Sequence, residues 1–95
     1  MSAYMIVEVK INDSPKYEEY KKLTPESLRP YGGKFIVRGG KAELIEGEEE
    51  PNRIVVLEFE NREKAKAWWN SPLYNEAKKI RQGAAKTRMI LVEGM

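Results

Sequence analysis

Three charged residues on predicted strands, Glu8, Arg38 and Glu58, offer the clearest chemistry in this sequence. Strand side chains alternate between faces, and counting along each strand places all three on one side of a sheet. Two nearby carboxylates can raise the pKa of one of them, which would supply a general acid or base. A guanidinium beside them can bind a substrate carboxylate through two hydrogen bonds. The alternative is a structural ion-pair network, buried at an interface and satisfied internally.

A second candidate site is the segment 69–74, where a predicted helix bends. Trp69, Asn70 and Tyr74 bring polar tips to an apolar wall, which suits a crevice for a small organic ligand. Tyr4 shares the sheet face of Glu8 and joins Arg38 among the predicted substrate-binding residues. The alternative for the aromatic side chains is an ordinary place in the core, which we expect for most of them.

The composition excludes several kinds of site. The chain contains no Cys and no His, which removes disulfides, thiolate catalysis and a Ser-His pair. A net charge of +2 with 34% charged residues indicates a mixed surface and no nucleic-acid partner. The three glutamates Glu48–Glu50 could bind a cation, but we interpret them as a solvated hairpin tip. No residues have metal-ligand or nucleotide-loop spacing, so we expect no metal and no cofactor.

Length and hydropathy predict how the chain is organised. Its 95 residues fit one domain, residues 1–95. No apolar run approaches the roughly 20 residues of a membrane span, and the N-terminus lacks a signal-peptide pattern. We therefore expect a cytoplasmic protein with no membrane partner.

The first half of the chain predicts a strand, a helix and a second strand. Ala3–Ile11 alternates apolar and polar residues, and a helix starts at Ser14 and is interrupted at Pro25. Glycine pairs enclose the second strand within Gly32–Gly40, and Lys41–Glu46 continues it after a bulge. The second strand has two faces, with Phe35 and Val37 on one and Lys34, Ile36 and Arg38 on the other.

The second half repeats the alternation of strand and helix. Arg53–Phe59 is a strand that is mostly apolar on both faces, which indicates a sheet covered on both sides. Asn61 caps a second helix, Ser71 followed by proline bends or restarts it, and Gly83 ends it. Thr87–Glu93 is the last strand.

This order, strand–helix–strand–strand–helix–strand, predicts an α+β ferredoxin-like fold, a split βαβ sandwich. We expect an antiparallel sheet with both helices on one face, and with the first and third strands adjacent and parallel at its centre. The other face is bare and carries several apolar residues. A homodimer, in which two sheets face each other across a barrel-like core, would cover that face.

Three segments resemble the family known as domain of unknown function 1330 (DUF1330). They are YGGKFIVRGG at Tyr31–Gly40, NSPLY at Asn70–Tyr74 and LVEG at Leu91–Gly94. The resemblance covers nearly the whole chain and implies the dimeric α/β-barrel superfamily. That superfamily includes cofactor-free monooxygenases, lactone isomerases and haem peroxidases, of which the last are disfavoured without a His ligand. The resemblance implies no catalytic residue by name.

Together these observations favour a homodimer that binds a small organic molecule, aromatic or acidic, with or without cofactor-independent turnover. In this hypothesis Arg38 anchors an acidic group, Glu8 or Glu58 handles a proton, and Trp69, Asn70, Tyr74 and Tyr4 contact the ligand. The alternative is a non-catalytic homodimeric module in which the charged trio only fixes the register of the two subunits.

Overall fold

Strands and helices follow the predicted order along the chain. The computed structural model describes all 95 residues. A single 3₁₀ turn, Arg29–Tyr31, joins the first helix to the second strand. The other elements are β1 (Ala3–Ile11), α1 (Ser14–Leu28), β2 (Lys34–Arg38), β3 (Arg53–Phe59), α2 (Arg62–Trp69), α3 (Pro72–Ala84) and β4 (Ala85–Glu93). None of the helices combines the length and the apolar composition that a bilayer crossing requires.

The sheet has the strand order β2-β3-β1-β4, and every neighbouring pair is antiparallel. This is the ferredoxin-like arrangement, as predicted. The expectation that the first and third strands are parallel is wrong. In a split βαβ unit the crossover makes β1 parallel to β2, and β3 is inserted between them in the opposite direction.

The helix ends depend on short polar side chains. Asp13, rather than the predicted Ser14, caps α1 by accepting a hydrogen bond from the Lys16 amide at 3.1 Å. Asn61 and Ser71 cap α2 and α3 as predicted. The predicted interruption at Pro25 is wrong, because α1 continues through it to Leu28, and α3 ends at Ala84, one residue after the predicted end at Gly83.

The glycines before β2 have a packing reason as well as a conformational one. Gly32 has a φ of 68°, in the left-handed region. A Cβ on Gly33 would lie 2.5 Å from Leu28 Cδ2 and 2.8 Å from the Phe59 ring, so any larger residue would have to displace these two core side chains. The predicted continuation of the strand over Lys41–Glu46 is wrong, since those residues form an irregular loop.

The core lies between the helices and one sheet face, and aromatic rings dominate it. Trp68 is fully buried, with its ring centroid 4.0 Å from that of Tyr74 and 5.5 Å from that of Phe59. Its indole N–H donates to the Ser27 hydroxyl of α1 at 3.0 Å, which satisfies the one polar atom of the ring. This packing fixes α1 and α2 over the sheet and so defines the space beside them.

Candidate ligand-binding cleft

A bulge in β2 decides where Arg38 lies. Phe35 is opposite Leu57 and Val37 is opposite Val56, so Ile36 is one extra residue in β2 and has no partner of its own. The alternation of faces therefore reverses after Ile36. Arg38 is opposite Val55 and lies on the helix side of the sheet, 4.2 Å from the Phe35 ring centroid.

The predicted trio is therefore not assembled. Arg38 lies on the helix side, whereas Glu8 and Glu58 lie on the open face. Glu58 is opposite Tyr4, four residues along β1 from Glu8, which separates the backbones of the two glutamates by about 13 Å along the strand. Within one chain, this spacing does not bring the two carboxylates together around a shared proton.

Each carboxylate has a local partner instead. The Tyr4 hydroxyl donates to Glu58 at 3.1 Å, and this hydrogen bond to a carboxylate raises the pKa of Tyr4. Glu8 accepts from the Asn52 amide at 3.4 Å. The two residues are therefore parts of the open sheet face, at its opposite ends.

Arg38 instead borders a cleft between α1 and the helix side of β2 and β3. The cleft has about 370 Å³ of empty space, part of which is open to solvent, but its cavity measures only about 20 Å³. Its inner part therefore has room for about one water molecule. Most of its wall is apolar or aromatic, from Tyr17, Tyr20, Phe35, Val55, Leu57 and Trp68.

The mouth of the cleft is basic and open. Its rim is formed by Glu18, Lys21, Lys22, Arg38 and Arg53, around a space of about 360 Å³. Lys21 forms an ion pair with Glu18 at 3.4 Å, but no carboxylate lies within 4.0 Å of the guanidinium of Arg38 or of Arg53. Arg53 also has a buried Nε without a hydrogen-bond partner. Two guanidiniums without an acidic partner give this mouth the chemistry of an anion site.

Two tyrosine hydroxyls are paired beside the inner wall. Tyr20 Oη and Tyr74 Oη lie 2.9 Å apart, both buried, and only Tyr20 borders the cleft. Burial raises the pKa of both phenols, although the nearby Arg81 guanidinium opposes this effect. Both hydroxyls therefore remain protonated at neutral pH, so each can donate a hydrogen bond.

The bend between α2 and α3 does not form the predicted crevice. Trp69 points outward, 39% exposed, with the Lys78 ammonium 3.2 Å from its ring centroid. Asn70 turns back to donate to the Lys66 carbonyl, and Tyr74 is buried. These three side chains line no common pocket, and their neighbour Trp68 borders the cleft instead.

Sequence reasoning did not assign Arg53 to a site, and it placed three other residues of the cleft in the core. Tyr17, Tyr20 and Trp68 follow helical stripes, and such stripes are typical of a core. Arg53 carried a signal, because it shares a strand face with the apolar Val55. No three acidic side chains converge to hold a metal ion.

The open face of the sheet carries one apolar row across all four strands. Val37, Val56, Ile6 and Ile90 are successive cross-strand partners. Charged residues flank this row on both sides, with Lys34 opposite Glu58 at one end and Glu8 opposite Arg88 at the other. Ile90 is 44% exposed, so the row is uncovered in the single chain.

Comparison with known proteins gives information on the family and the fold. The family model described as "Domain of unknown function (DUF1330)" matches residues 2–95. No match is found among curated proteins.

Solved structures show the same fold. A protein of unknown function from Rhodopseudomonas palustris has 21% identity and a TM-score of 0.83, over 99% of this chain and 82% of the other. A protein from Jannaschia, described as dimeric and ferredoxin-like, has 10% identity and a TM-score of 0.74, over 99% and 100%. SnoaB from Streptomyces nogalater, described as a cofactor-independent oxygenase, has 9% identity and a TM-score of 0.61, over 99% and 93%.

Proposed function

This chain belongs to the DUF1330 family, and since that membership gives no activity, we propose from the cleft that the protein binds a small organic anion with an apolar body. The observation that carries the proposal is the pair of guanidiniums, Arg38 and Arg53, without acidic partners at the mouth of an aromatic cleft.

The register of the sheet explains why two arginines can share one anion. Arg38 is opposite Val55, and Arg53 lies two residues from Val55 on the same face. Diagonal neighbours of this kind are roughly 7–8 Å apart at their backbones, which is within reach for two long side chains. Two like charges at this spacing repel each other, and a bound carboxylate relieves that repulsion.

The dimensions of the cleft limit how a ligand enters. The inner space holds about one water molecule, while the open mouth of about 360 Å³ is within the range of small-ligand sites. The anionic group therefore stays at the mouth beside Arg38 and Arg53, and the apolar body enters the cleft by displacing the Lys21 side chain that borders it.

Turnover without a cofactor would require a group that stabilises negative charge on the ligand. Tyr20 borders the cleft and its hydroxyl is protonated, so a ligand oxygen that becomes an enolate or phenolate could accept its hydrogen bond if the ligand reaches the pair that this hydroxyl forms with Tyr74. The fold shared with a protein described as a cofactor-independent oxygenase is compatible with such chemistry. Glu8 and Glu58 lie on the opposite sheet face, so the proposal gives them no proton-transfer role.

A comparison of two probes of equal shape tests the proposal. We expect 2-naphthoate to bind and to change the fluorescence of Trp68, measured in a Trp69→Phe background. The neutral 2-naphthylmethanol should bind at least tenfold more weakly, because it lacks the charge-assisted hydrogen bonds. Arg38→Gln and Arg53→Gln should each weaken naphthoate binding by about tenfold or more.

The control is Arg62→Gln, which removes the same charge from the start of α2, outside the cleft. It should leave the affinity for naphthoate unchanged. Equal binding of the two probes, equal loss in all three arginine variants, or no binding of naphthoate would each contradict the proposed function.

We also propose that the open sheet face pairs with a second copy of this chain. The apolar row is uncovered in one chain, and its flanks carry both signs of charge, which can pair across a two-fold axis. Fold neighbours described as dimeric are consistent with this arrangement. Such pairing also supports the alternative of a non-catalytic dimeric module, in which Glu8 and Glu58 set the register of the subunits. Arg38 has no part in that register, because it lies on the other face.

A further inference from the structure

Pro25 leaves a gap in the hydrogen bonding of α1. A residue inside a helix donates its backbone N–H to the carbonyl four residues earlier, which here is Lys21. Proline has no N–H, and its ring also pushes that carbonyl away from the helix axis. The Lys21 carbonyl is therefore an acceptor without its helical donor, on the turn of α1 that borders the cleft mouth.

Arg38 fills this gap from the sheet. Its Nη2 donates to the Lys21 carbonyl at 2.9 Å, a contact between residues 17 apart in sequence. The guanidinium also lies 4.2 Å from the Phe35 ring centroid. The side chain is thus held by a hydrogen bond to α1 and by a cation–π contact on β2, although it is exposed to solvent.

We propose that Pro25 is a positioning residue: by freeing the Lys21 carbonyl, it holds the Arg38 guanidinium at the mouth of the cleft. A guanidinium has five N–H donors, and one bond to Lys21 leaves a two-donor edge for a carboxylate. A group ordered before binding loses less conformational entropy when the ligand arrives. This consequence for the ligand rests on the proposed function, whereas the contact between α1 and β2 does not.

The contact is tested first without a ligand. Alanine at position 25 restores a helical N–H that competes for the Lys21 carbonyl, so the hydrogen bond from Arg38 should contribute less to stability. We expect Arg38→Gln to lower the urea midpoint of unfolding clearly in the wild-type background. In the Pro25→Ala background it should lower the midpoint by less than half as much. Equal shifts in the two backgrounds would overturn the proposal.

The consequence for binding is tested with 2-naphthoate. Pro25→Ala should weaken binding about threefold to tenfold, which is the loss expected when one long side chain must be ordered by the ligand. The same change should have no effect once Arg38 is Gln, because the residue it positions is gone.

The matched control is Pro15→Ala in the first turn of α1, where a backbone N–H has no helical acceptor. It should leave naphthoate affinity unchanged. An equal loss in Pro15→Ala, or a loss from Pro25→Ala that persists in the Arg38→Gln background, would overturn the positioning role. A coupled urea midpoint in a protein that binds no naphthoate would support the contact and refute the proposed function.

Discussion

The paired hydroxyls of Tyr20 and Tyr74 predict a loss of stability in alkali. Both phenols are buried and lie 2.9 Å apart, and burial is the main cause that raises the pKa of each above its ordinary value of 10.0. Below pH 10 the folded and unfolded chains both keep these protons. Above pH 10 only the unfolded chain releases them, so the free energy of unfolding falls as the pH rises toward the folded-state pKa.

The size of the effect follows from the number of retained protons. Each retained proton costs about 1.4 kcal/mol per pH unit, so the pair costs nearly 3 kcal/mol per unit. A small domain is stable by about 5–15 kcal/mol, and one near the lower end would unfold close to pH 12. Urea unfolding followed by circular dichroism between pH 8 and 11 measures this slope, and the part of the tyrosinate absorbance at 295 nm that comes from Tyr20 and Tyr74 should appear only with unfolding.

Replacing both tyrosines separates this cause from general alkaline instability. The double variant Tyr20→Phe/Tyr74→Phe removes both partners of one hydrogen bond, so its stability at pH 7 should change little. Above pH 10 its slope should be smaller by nearly 3 kcal/mol per unit. The single variant Tyr20→Phe leaves the Tyr74 hydroxyl without this partner and should cost about 1–3 kcal/mol at pH 7. The control is Tyr31→Phe, outside the pair. An unchanged slope in the double variant would refute the reasoning.

Two further predictions concern the open face and the approach of the chain to β3. Ile90→Asp, on the open face, should convert a dimer to an 11.0 kDa monomer in sedimentation equilibrium. The control Leu23→Asp on α1 should leave the dimer intact, although the two side chains are similarly exposed, at 44% for Ile90 and 40% for Leu23. A wild-type monomer at micromolar concentration would contradict the dimer. Gly33→Ala should cost about 1–3 kcal/mol in urea unfolding, because its Cβ would lie 2.8 Å from Phe59, whereas Gly40→Ala has no atom within 4 Å and should cost much less.

The sequence was sufficient to predict the fold because its signals are local and mutually consistent. The predicted bounds of β1 and β3, Ala3–Ile11 and Arg53–Phe59, match the observed strands, and burial along both alternates with a period of two. The Asn61 and Ser71 caps mark the beginnings of α2 and α3 correctly. The predicted interruption of α1 at Pro25 was wrong. The helix continues through the proline, and the Lys21 carbonyl accepts a hydrogen bond from Arg38, which is too distant in sequence for a local pattern to reveal.

The candidate site was less predictable because it depends on offsets of one residue. Trp68 and Trp69 differ by one step of about 100° around α2, which decides between the cleft wall and an exposed ring against Lys78. The same limit applies to β2, where one unpaired residue reverses every later side chain. Periodicity identifies a face only while the count of residues stays regular.

The bulge at Ile36 connects the two proposals. In a regular strand, Ile36 would lie opposite Val56 on the open face and Arg38 would follow it there, near Glu8. In the observed register Val37 takes the position opposite Val56, so the apolar row keeps a branched aliphatic side chain of similar shape. The main effect of the bulge is that the Arg38 guanidinium lies on the helix side of the sheet instead of the open face. A guanidinium that would have been buried where two sheets meet, at a desolvation cost, instead lies at the mouth of the cleft and can bind an anion.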